Sequence, residues 1–184
     1  MIINLTKKKV LSSQTVHAVS FRTRARGMIG RRFENFDAMV FLDLTPYPEV
    51  CSVMAHNRAL VENGLRLACF FLRETVRNGG RFGFAANIEA LNHTGKDPIV
   101  FIPCAMGKVH MKEVLETFAA IPVYRTARDY SFAALMQKHR HMVPKDMDVF
   151  LLTAGAEGGH SRLLRELERA GNTVTVVRIP VTEI

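Results

Sequence analysis

The sequence predicts one doubly wound α/β domain, a mostly parallel sheet covered by helices on both faces. Three observations carry this reading. Short apolar runs such as Ala38–Leu42 and Met147–Leu152 are continuous rather than alternating, which fits strands buried on both sides. Between them lie longer stretches with apolar residues at spacings of three and four. Strands and helices also alternate along the chain, the order that builds parallel sheets through crossover helices.

From Asp37 onward each element has its own signal. Ala38–Leu42 (AMVFL) ends at Asp43 and is followed by Thr-Pro-Tyr-Pro, so it reads as a strand closed by a loop. Residues Asn57–Arg77 predict a long helix: Val61, Leu65, Ala68, Leu72 and Val76 form one stripe, and Asn78-Gly79-Gly80 stops it. Arg81–Ala86 is a second strand. Ile99–Ile102 is a third, entered through Asp97-Pro98 and left through Pro103. Val109–Ala120 and Ser131–His141 predict helices, with Met111, Val114, Leu115 and Phe118 on one face of the first. Met147–Leu152 is again a strand, Ser161–Ala170 a helix stopped by Gly171-Asn172, and Thr173–Ile179 a final β-branched strand.

Residues 1–36 differ from the rest and are expected to be a basic N-terminal extension to a domain at 37–184. Val16–Arg22 alternates loosely and reads as a strand. Of the formal charge of +8, the first 34 residues carry +7, with eight cations against Glu34 alone. Arg22, Arg24, Arg26, Arg31 and Arg32 form an arm suited to an anionic surface, either lipid or nucleic acid. In an extended strand Arg22, Arg24 and Arg26 would share one side; the same charges would equally protect a solvated edge. A single phenylalanine beside them makes a poor stacking platform, so nucleic acid is the lesser expectation.

The 184-residue chain has ordinary globular composition and no apolar run of membrane-spanning length. Lys7, Lys8 and Lys9 are not followed by a signal-peptide core, so a cytoplasmic protein is expected. Cys51, Cys69 and Cys104 form no C-x-x-C pair, and their odd number argues against a disulfide framework.

Chemistry has few footholds. Asp43 stands at the carboxyl end of the first predicted core strand, where α/β sheets bind ligands, with Thr45 close by. It is either a cation ligand or an Asx-turn residue bonding its own loop. The chain lacks G-x-G-x-x-G, the phosphate-loop pattern and G-x-S-x-G. The Gly155-Ala-Glu-Gly158-Gly159 loop offers an anion site at a helix start, but Glu157 opposes it. The histidines His17, His56, His93, His110, His139, His141 and His160 have no zinc-like spacing. Cys104 and His110 could meet as a thiol–imidazole pair around Pro103, without a third group to orient them.

The stretch Ser20-Phe-Arg-Thr-Arg-Ala-Arg-Gly-Met-Ile-Gly-Arg-Arg-Phe-Glu34 resembles a basic signature, W-K-x-x-A-R-x-G-x-L-x-V-x-x-[FY]-E. That signature precedes the first strand in the bacterial domain-of-unknown-function family fifty-eight. The likeness continues through Met39–Leu44, Pro103–Met111, Leu151–Thr153 and Gly171–Val174. It implies a von Willebrand factor A-like, Rossmann-type fold and a non-catalytic protein-binding or assembly role beside a MoxR-type AAA+ ATPase. Many members of that family carry two transmembrane helices upstream, so the resemblance leads one to expect a soluble fragment or a shortened member.

The resemblance also implies an adhesion-type site for Mg²⁺ or Mn²⁺, built on D-x-S-x-S, a threonine and a distant aspartate. Asp43 and Thr45 match its first positions, but Tyr47 replaces the second serine. Lys108, beside Gly107, would repel a cation, and Thr153-Ala154-Gly155 stands where S-D-G is usual. A degenerate metal site is therefore expected, with Tyr47, Gly107, Lys108 and Thr153 grouped near Asp43 as the partner-binding surface. The alternatives are an Mg²⁺ shell on Asp43 and Thr45 completed by a partner, or the electrostatic arm acting alone.

Overall fold

In a computed structural model of the chain, the described residues are 2–4, 9–12, 37–47, 54–88, 91, 99–123, 131–155 and 160–181. The strands are β1 (Ile2–Asn4), β2 (Lys9–Ser12), β3 (Ala38–Leu42), β4 (Phe82–Ala86), β5 (Val100–Ala105), β6 (Asp148–Thr153) and β7 (Thr173–Arg178). The helices are α1 (Met54–Arg77), α2 (Lys108–Ala120), α3 (Phe132–His139) and α4 (Ser161–Arg169), with a 3₁₀ turn at Arg140–Met142. They form one sheet in the order β2-β1-β7-β6-β3-β4-β5.

The centre of the sheet is parallel. β3 pairs with β4 on one side and β6 on the other, and β6 pairs with β7. Every residue of β3, β4 and β6 is buried, as their unbroken apolar runs require. The period of two then divides each strand between two cores. Ala38, Val40 and Leu42 face a layer containing Leu60, Val61, Ala68, Phe71 and Leu72 of α1 and Val114 and Phe118 of α2. Met39 and Phe41 face Phe132 and Met136 of α3 and Leu163, Leu164 and Leu167 of α4. Phe71 stacks on Phe150 with centroids 4.0 Å apart, and Phe41 meets Phe132 edge-on at 5.9 Å.

The helices lie on both faces because the chain winds outward in two directions. From β3 it moves through α1 to β4, and from β6 through α4 to β7. Crossovers of one hand running in opposite directions place their helices on opposite faces. Between β3 and β6 the direction of winding reverses, and their carboxyl ends open at that point. This is an α/β, Rossmann-like arrangement.

Two features add to the sequence reading. β5 runs antiparallel to β4, with Ala105 opposite Phe82 and Val100 opposite Ala86. It continues through Pro103, which an edge strand tolerates because its outer N–H positions have no ladder to serve. The segment assigned to an N-terminal extension also contributes to the sheet: β1 pairs antiparallel with β7, and β2 with β1. The strand expected at Val16–Arg22 and the arm Arg22, Arg24, Arg26, Arg31 and Arg32 lie outside the described residues. Among those described, no helix is long and apolar enough to cross a membrane.

The core prediction is direct. Phe84 is fully buried and meets Phe118 edge-on at 4.6 Å. Replacing it, Phe84→Ala, is expected to cost about 3–5 kcal/mol, read as a lower urea midpoint; an unchanged midpoint would contradict the packing described.

Candidate functional site

The site grows from the carboxyl end of β3. Its last turn of backbone passes Asp43 at the reversal point, where the Asp43 N–H donates to the Leu152 carbonyl of β6 at 2.8 Å. Asp43 is fully buried. A buried carboxylate needs donors on both oxygens, and here each has three.

Oδ1 accepts from the Thr45 N–H at 3.0 Å, the Thr45 hydroxyl at 2.6 Å and Asn87 Nδ2 at 3.2 Å. Oδ2 accepts from the Tyr47 hydroxyl at 2.7 Å and the Thr153 hydroxyl at 3.0 Å. The third neighbour of Oδ2 is His160 Nε2, at 3.0 Å. A carboxylate facing it places the proton on Nε2, which leaves Nδ1 without a hydrogen-bond partner in a buried position.

These side chains come from four strand ends or helix starts. Thr45 and Tyr47 belong to the loop after β3, and Asn87 directly follows β4. Thr153 ends β6, and His160 is the N-cap of α4. Cross-links tie the set together: Asn87 Oδ1 accepts from the Leu44 N–H at 2.7 Å, and Asn87 Nδ2 also reaches the Thr45 hydroxyl at 3.1 Å. The Gly155 N–H donates to the Thr153 hydroxyl at 3.1 Å. Gly155 has a further duty, because a Cβ there would lie 2.3 Å from the Tyr47 ring. Only a glycine lets that ring cross the loop and deliver its hydroxyl to Asp43.

Burial pushes the Asp43 carboxyl upward, but its hydrogen bonds with His160, Thr45 and Tyr47 outweigh this and hold it below the ordinary value. The Tyr47 phenol moves the other way, raised first by burial and then by the Asp43 charge. The cage therefore keeps a carboxylate ionised and a phenol protonated.

Of the expected site residues, the fold brings together Asp43, Thr45, Tyr47 and Thr153. Gly107 and Lys108 do not join them. Because β5 is antiparallel, its end lies beside Phe82, at the amino-terminal rim of the sheet. His110, one residue past Val109, contacts the Phe82 carbonyl at 2.6 Å, which fixes the start of α2 at that same rim. Lys108 therefore has no bearing on the charge balance around Asp43. Asn87 and His160, which sequence reasoning did not link to Asp43, complete the cage instead. Their sequence signals were slight: an asparagine just past a strand, and a histidine before a helix.

A hard divalent cation takes its contacts from several oxygen lone pairs; here the Asp43 lone pairs receive protons from six directions. Among the described residues, no group of three or more histidine, cysteine or acidic side chains is placed to hold a metal.

Cys104 and His110 do not pair. The thiol lies 3.9 Å from the Ala38 carbonyl and 3.8 Å from Met39 Sδ, while the imidazole is bound to the Phe82 carbonyl. Burial pushes the Cys104 thiol up to about 12. The Glu157, Gly158 and Gly159 positions of the glycine loop, along with His17, His93 and Cys51, lie outside the described residues.

Comparison with protein-family models and with curated proteins finds no match for the chain.

Two outcomes test this geometry. An Asp43 carboxyl held low adds stability that is complete above the unfolded value of about 3.9 and is lost as pH falls through the folded one. Asp43→Asn is expected to destabilise the protein by about 3 kcal/mol or more at neutral pH. It should also flatten the loss below pH ~4, followed by urea unfolding at several pH values. Parallel acid profiles for the two proteins would refute the assignment. At pH ~8, iodoacetamide should label Cys104 at least about a hundredfold more slowly than a free thiol, read by peptide mass spectrometry; labelling at the free-thiol rate would contradict its burial.

Proposed function

We propose that this chain is a non-catalytic protein-binding or assembly module, similar to von Willebrand factor A domains, that works with a MoxR-type AAA+ ATPase in the bacterial cytoplasm. The observation that carries the reading is the state of Asp43. It stands at the reversal point between β3 and β6, where α/β sheets engage ligands, yet all its contacts are internal hydrogen bonds. A carboxylate so occupied is a structural anchor for the loops around it, not a poised base or nucleophile.

The loop after β3 then offers its outer surface to the partner. Thr45, Pro46 and Tyr47 are each partly exposed. Leu91, which follows β4 and bonds to the end of α2, adds a side chain that is 67% exposed. An exposed apolar side chain of this size is the kind of surface that a protein partner covers. In this proposal the module acts without Mg²⁺, since the hydroxyls of Thr45, Tyr47 and Thr153 serve the carboxylate rather than an ion.

Direct binding to a purified MoxR-type ATPase, measured by biolayer interferometry, tests the reading. Pro46→Arg and Leu91→Arg are each expected to weaken binding roughly tenfold, and adding Mg²⁺ or Mn²⁺ to the chain alone should give no heat in titration calorimetry. Hydrolysis of an ester or phosphate substrate that is abolished by His160→Ala would overturn the non-catalytic assignment. Metal heat that disappears in Asp43→Asn would overturn the metal-independent one.

A further inference from the structure

We draw no further inference here: the strongest candidate, the exposed turn between β5 and α2 that carries Met106 and Val109, is an unpartnered apolar face, and nothing in the structure shows what covers it.

Discussion

A buried carboxylate is the constraint on which the upper rim of this molecule depends. Asp43 is fully enclosed, and leaving such a charge unpaired would cost several kcal/mol. Its two oxygens are satisfied only if the loop after β3, the end of β4, the end of β6 and the start of α4 all meet at one point. Six contacts, five from side chains and one from the Thr45 N–H, therefore act as a clasp that fixes where strands end and helices begin. Gly155 belongs to the same clasp although it does not touch Asp43, because any side chain there would displace the Tyr47 ring.

The clasp lies at the boundary between the two cores. Alternate residues of β3 point to α1 and α2 on one face and to α3 and α4 on the other. His160 meets Phe132 edge-on at 5.8 Å while its Nε2 reaches Asp43, so one imidazole joins the apolar layer of α3 and α4 to the polar rim. Polar satisfaction and hydrophobic packing thus impose the same geometry, and consistency between levels of this kind specifies a single arrangement.

The two rims differ in character because the strands are polar objects with distinct ends. Parallel strands collect their carboxyl ends, and with them Asp43, Asn87 and Thr153, on one side. The antiparallel β5 brings the Met106–Val109 turn to the other side, beside the ends of α1 and the start of β4. One edge strand running backwards is enough to separate the two surfaces by the height of the sheet.

The elements from β3 onward were legible in the sequence because burial leaves a periodic record: two-sided strands read as unbroken apolar runs, and α1 carries its stripe from Val61 to Leu72, with Val76 at its end exposed. Asp43 and its local partners Thr45 and Tyr47 were also legible, as an acid and two hydroxyls within one loop. Strand direction was not, since an apolar run such as Ile99–Ile102 reads alike in either sense, and this misplaced Gly107 and Lys108. Asn87 and His160 stand 44 and 117 residues from Asp43. Composition and periodicity determined which segments would be strands and helices. Only tertiary structure could decide which distant donors surround the buried charge, because that choice is made by the order and direction of strands, which hydrophobic spacing does not encode.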